Sequence, residues 1–204
     1  MNDKNNELKA ALEDVRRAYR LLHAYHRRVN DMFYAVHEFL EKRGAEFMSW
    51  GPLNVWNLPQ KTKPFFRPET WAWDLTPAYQ IECVWHRSQG GMHHKLHVHA
   101  IADTGFDAAG EGEPDPARFE PPETSRSEIR VGLHRTCAKQ LDWGAAWKKL
   151  SADPTRKNTG VHRVKVGNDD YAYRYFAMDL VELGDEQAVK EKLLQPLDEW
   201  LKSS

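Results

Sequence analysis

The chain has two cysteines in 204 residues, Cys83 and Cys137, too few for a disulfide framework or a zinc knuckle. Both lie in apolar, strand-like runs and are expected as buried reduced thiols. No apolar run approaches the length of a membrane span, and the opening MNDKNNELKA lacks the apolar core of a secretory signal. The expectation is a cytoplasmic protein without a transmembrane segment. Charge of one sign is lacking too: 29 basic against 30 acidic residues give no global field to concentrate polyanions, so nucleic acid is not an expected partner. A Gly-rich phosphate loop, a nucleotide fingerprint, a serine nucleophile elbow and a Cys-x-x-Cys pair are all missing, which removes the common signatures of phosphoryl, hydride, acyl and dithiol chemistry. Asp74 and Glu82 would suit a carboxylate nuclease, but Val84 stands where its lysine would be.

Between Asp3 and Arg43 there is no Gly or Pro, while Leu8, Leu12, Val15, Tyr19, Leu22, His26, Val29, Phe33, Val36 and Leu40 recur at steps of four and three. This predicts one helix over about 3–43, stopped by Gly44, with Lys42 and Arg43 at the negative end of its dipole. Ala11, Ala18, Tyr25, Met32 and Phe39 widen the stripe beyond a simple coiled-coil seam, so a broad partner such as a sheet is expected. About forty residues at about 1.5 Å each span some 60 Å, more than the roughly 40 to 45 Å of a compact domain this size. The overhang calls for a cover. Either a C-terminal helix over about 185–202, with Val189, Leu193, Leu194, Leu197, Trp200 and Leu201 on its apolar face, supplies it, or a second copy of the chain does, and a homodimer is expected.

Between the helices the period changes to two. Tyr79 to Arg87 and Met92 to Ala102 alternate about a turn at Ser88–Gly91, Glu128 to Cys137 places Ile129, Val131 and Leu133 on one face, and His162 to Val166 turns through Gly167-Asn168-Asp169-Asp170 into Tyr171 to Leu183. Strands in series joined by turns predict an antiparallel sheet. The expected fold is a single α+β domain over 1–204: about five strands within about 71–183, flanked by the two helices. Trp50–Trp73 and an acidic loop over 105–125 read as irregular, the loop tip as disordered. Ala138–Gly160 reads as a short helix with Trp143, Trp147 and Leu150 on one side, followed by a basic loop.

The histidine-rich hairpin carries the most suggestive chemistry. Alternation puts His93, Lys95, His97 and His99 on one face, and closure either at Gly90-Gly91 or with four loop residues brings Glu82 and His86 to the same face. Neutral imidazoles beside a carboxylate can hold zinc, iron or manganese, whose bonds to nitrogen and oxygen are about 2.0 to 2.2 Å. The spacing Gly91, five residues, His97-Val98-His99, three residues, Asp103, six residues, Gly110 resembles the first metal-binding motif of the cupins, over about a tenth of the chain. The resemblance implies a divalent transition metal inside a β-barrel, held by His97, His99 and Asp103, with His134 the strand histidine available as fourth ligand; His86, on the hairpin's shared face, is a further candidate ligand. Asp103 stands where the motif has Glu, a second motif is absent, and the long helix departs from that fold.

Two further surfaces are candidates. Trp50, Trp56, Phe65, Phe66, Trp71 and Trp73 lie among Pro52, Pro59, Pro64, Pro68 and Pro77, a segment too irregular to bury every ring and suited to a protein partner or apolar ligand. Arg16, Arg20 and Arg27, with His23, form a stripe on the long helix that suits phosphate or anionic lipid headgroups, hence a peripheral membrane contact. His26, in the apolar seam, is expected as a core or helix-pairing histidine. Three functions follow in order: a non-catalytic binding protein using the aromatic segment, with no cofactor; a metal-dependent enzyme on the His97–His99 face; and headgroup recognition by the arginines.

Overall fold

Asn2–Glu41 form the predicted helix, α1. Gly44 adopts φ +74°, and the amides of Gly44 and Ala45 turn back to the carbonyls of Glu41 (2.9 Å) and Leu40 (3.0 Å). That is the paired closure that a left-handed residue allows, and glycine adopts this conformation without steric cost. The structure, a computed structural model, describes residues 2–52, 79–108, 116–139, 141–153 and 160–202. It divides into two compact units, residues 1–39 and 40–204. In the first, Leu8, Leu12, Val15 and Tyr19 are about half exposed or more.

The second unit is built on one antiparallel sheet: β1 (Glu46–Pro52), β2 (Gln80–Gln89), β3 (Met92–Ile101), β4 (Glu128–Thr136), β5 (Val161–Val166) and β6 (Asp169–Asp179), in the order β1-β2-β3-β4-β6-β5. The sheet therefore has six strands rather than about five, and it begins at Glu46. β1 escapes the sequence pattern because it is an edge strand whose register slips between Phe47 and Ser49 and which ends in Gly51-Pro52. A bulge breaks the period of two, and proline is tolerated where no neighbour needs its N–H. The barrel implied by the cupin resemblance does not form: among the described residues, β1 and β5 are open edges.

The β2–β3 hairpin closes in the shorter of the two expected ways, with Ser88 and Gln89 in the strand. Gln89 pairs with Met92 across Gly90-Gly91, both at positive φ (60° and 78°), as a two-residue turn matched to strand twist requires. The β5–β6 hairpin is tighter than expected. Val166 pairs with Asp169, so Asp169 and Asp170 belong to the strand and not to the turn.

The two faces of the sheet differ. Leu96, Val98, Ala100, Ile129, Val131 and Leu133 are buried on one. The C-terminal segment packs there, since Arg87 Nη1 donates to the Leu201 carbonyl at 3.2 Å and the Arg135 guanidinium lies 4.6 Å from the Trp200 ring. That segment is not one regular helix: α3 (Glu186–Val189), capped by Asp185 Oδ1 on the Ala188 amide at 2.8 Å, runs through a π turn at Lys190–Leu194 into α4 (Gln195–Lys202). Pro196 explains the interruption, because it lacks the N–H that would continue the α ladder and the chain widens by one residue just before it. Val189, Leu193, Leu197, Trp200 and Leu201 are buried as the spacing predicts. On the opposite face α2 (Trp143–Ser151) covers only the β5–β6 end, where Ala138, Ala146 and Tyr171 are buried against Trp143, Val164 and Val166. Among the described residues, no other helix covers that face.

Of the cysteines, Cys83 is buried but Cys137 is exposed, just beyond the end of β4, and both are free thiols. No helix among the described residues is long and apolar enough to cross a membrane.

Candidate metal centre

The register of β2 on β3 sets the site. Glu82 pairs with His99 and Val84 with His97, so the Glu82 carboxylate lies diagonally beside one imidazole and opposite the other. Its Oε1 accepts from His97 Nδ1 at 2.6 Å and from His99 Nε2 at 2.9 Å. One donor atom from each of the three residues lies within 4.8 Å of the others, and all three side chains are partly buried. Ligands bonded at about 2.0 to 2.2 Å to a tetrahedral ion sit roughly 3.3 Å apart, so the two contacts to Glu82 open by about 0.4 to 0.7 Å to admit one.

The electrostatics suit the same role. Hydrogen bonds from His97 and His99 hold the Glu82 carboxyl far below the usual carboxylate range. Burial depresses His97, against the opposing pull of Glu82. An ionised carboxylate beside a neutral imidazole is the protonation state that divalent metals bind. Cys83, next in sequence but on the other face, is pushed up to about 11 by burial and then by Glu82, and such a thiol is inert.

The three residues line one end of a cavity of about 510 Å³. Across it, β4 contributes Gly132, which pairs with His97 on one side and Tyr175 on the other. Two residues on is His134, whose ring lies 5.4 Å from His97 and 4.7 Å from Tyr173. Trp143 and Trp147 of α2 stand 6.0 and 5.9 Å from His134. Burial, then the positive fields of His97 and Lys95, push His134 down to about 3.

The other sequence candidates are distributed elsewhere. Asp103 follows β3, outside the group of three; its Oδ1 accepts from the Gly105 amide at 2.8 Å, and its carbonyl accepts from the Tyr79 hydroxyl at 2.6 Å, both of which hold the turn that leaves the sheet. His86 shares the polar face but stacks on His93 at 6.0 Å. Trp50 lies on edge strand β1 and is 66% exposed; Trp56, Phe65, Phe66, Trp71 and Trp73 lie outside the described residues, as do Gly110, Glu111 and Glu113 of the acidic loop. Arg16, Arg20 and Arg27 are exposed along α1. Sequence reasoning missed the far wall of the cavity, although the signal was there: Tyr171, Tyr173 and Tyr175 alternate along β6 and so share a face.

The model of the PM0109 family matches residues 5–203. No curated protein matches the chain, and no solved structure does.

Proposed function

The chain belongs to the PM0109 family, and from the centre on its sheet we propose that it is a metal-dependent enzyme of small-molecule chemistry, with Glu82, His97 and His99 as the ligands of a divalent transition metal. The observation that carries this reading is the convergence of His97 Nδ1 and His99 Nε2 on Glu82 Oε1, at 2.6 and 2.9 Å, at the end of a cavity. Two histidines and one carboxylate are the ligand set of catalytic zinc sites and of non-haem iron sites, because three protein donors leave positions for water or substrate. In such a site the ion polarises a bound oxygen or lowers the pKa of a bound water. The neighbouring aromatic cavity supplies what that chemistry needs: a place to hold the substrate and a wall against bulk water.

The test is elemental analysis and cobalt titration of the purified chain. About one equivalent of divalent metal is expected per chain, lost in a His97→Ala, His99→Ala double variant that keeps its circular dichroism. Wild-type protein that takes up no transition metal above micromolar concentration overturns the reading, as does a double variant that still binds one equivalent.

A second reading has its own observation. The exposed Leu8, Leu12, Val15 and Tyr19 of α1 follow the four-three spacing of a helix-pairing seam, which favours association with a second copy of this chain.

A further inference from the structure

We infer that the substrate is a small aromatic acid or phenol, one or two rings wide, whose adjacent oxygen atoms chelate the ion held by Glu82, His97 and His99. This rests on the metal reading and goes beyond it, because ligand geometry alone is silent about what occupies the cavity.

The walls choose the ring. The aromatic lining is continuous from the centre outward, with His97 against His134 at 5.4 Å and His134 against Tyr173 at 4.7 Å. Trp147 closes the series against Tyr173 at 6.2 Å. Trp147 lines the cavity yet is 47% exposed; a large ring held open to solvent at the mouth of an aromatic pocket gains most from a flat apolar partner.

The floor makes the room. Gly132 sits midway across the face, between His97 and Tyr175 in the ladder. A Cβ at that position would meet Tyr173 Cε2 at 3.4 Å and its hydroxyl at 3.5 Å, ordinary contacts, so the backbone does not demand glycine there. What its absent side chain leaves is space between the ion and the tyrosines. At about 510 Å³ the cavity lies within the range that takes small organic ligands, roughly 300 to 1,000 Å³.

The charges choose the substituents. Lys95 lines the cavity, is half-buried, and has no acidic partner among the described residues. Arg130 lines it too, with Nε on Glu128 Oε2 at 3.0 Å. A divalent ion with Glu82 leaves one net positive charge, and Lys95 adds another, so a ligand bearing one or two negative oxygens neutralises the pocket. Ring carboxylates and phenolates carry such oxygens, and adjacent ones fill two open positions on the ion together. A neutral hydrocarbon would leave Lys95 desolvated, and an aliphatic hydroxy acid would leave the rings wet.

The experiment uses the full chain loaded with cobalt(II) and 3,4-dihydroxybenzoate as probe, read by the cobalt visible bands and by tryptophan fluorescence. The probe is expected to shift the bands and quench the fluorescence saturably, and to bind at least about tenfold more tightly than malate, which offers oxygen donors without a ring. Gly132→Leu, which fills the floor and supplies no donor atom, its Cβ meeting His97 only at Cβ, 3.8 Å away, is expected to abolish probe binding with the cobalt spectrum intact. Lys95→Met should weaken 3,4-dihydroxybenzoate more than neutral catechol. Malate binding as tightly as the probe, or unchanged probe binding in Gly132→Leu, overturns the inference while leaving the metal reading standing. A wild-type chain that shows no cobalt bands removes both.

Discussion

His94 and His97 are three residues apart on one strand and face opposite ways, and their chemistry parts for that reason. His97 meets a carboxylate. His94 is buried on the core face, between Arg87 and Arg135 in the ladder, with no hydrogen-bond partner for either ring nitrogen among the described residues. Burial, followed by the fields of Arg87 and Arg135, pushes it down to about 4. A histidine that stays neutral when folded but has an ordinary pKa when unfolded makes the unfolded chain the better proton acceptor between those values. Stability from this residue is therefore complete above about pH 6.5, falls as pH drops toward 4, and is level below that. From pH 7 to pH 5 the loss is about 2 kcal/mol. Urea unfolding at the two pH values should show that difference in the wild type and a correspondingly smaller one in His94→Leu; equal pH slopes in the two proteins would sink the assignment. None of this was legible in the sequence, where alternation assigns His94 to the apolar face but does not say that its neighbours there are arginines. The shared face of Glu82, His97 and His99 was legible, because a turn of two residues and one of four set odd positions of the second strand against even positions of the first alike. Which carboxylate the histidines choose was not: Asp103 fits a motif spacing, and only the pairing of Glu82 with His99 decides the geometry.

Among the elements, α2 matters most to the site and is the least supported by its own length. Nine residues are too few for a stable helix in isolation, so the cap and the docking must hold it. Asp142 supplies both: its Oδ1 accepts from the Ala145 amide at 2.8 Å, and its own amide donates to the Tyr171 hydroxyl at 2.9 Å. Asp142→Ala is expected to cost about 1 kcal/mol, the usual value of a lost N-cap, and to red-shift tryptophan emission as Trp143 and Trp147 lose their fixed positions. Because Tyr171 is held through the backbone of Asp142, Tyr171→Phe should reproduce part of the effect with the cap intact. Unchanged emission in Asp142→Ala would show that packing alone seats the helix. The helices were the readable elements, since periodicity and stop signals coincide over many residues; the edge strand β1 and the π turn before Pro196 were not, because each depends on one local exception to the period.

For the molecule as a whole, the α+β class and the antiparallel order of the hairpins followed from the sequence, because short turns leave neighbouring strands few other ways to pair. The openness of the sheet did not, since nothing in an alternating pattern distinguishes an edge from a closed barrel. The exposed stripe of α1 raises association between copies at this scale. Leu8, Leu12, Val15 and Tyr19 cover about two heptads, short of the three or four that sustain a coiled coil unaided, so pairing should be weak and dependent on concentration. Sedimentation velocity from about 5 to about 200 μM is expected to show monomer giving way to dimer, as mass action requires of a micromolar contact. Charges in the seam remove its apolar area and oppose one another across a parallel or antiparallel pair. Leu12→Glu, Tyr19→Glu should thus remain monomeric over the same range with helix content unchanged. Monomer throughout in the wild type, or dimer persisting in the double variant, would assign the stripe to something other than a second copy.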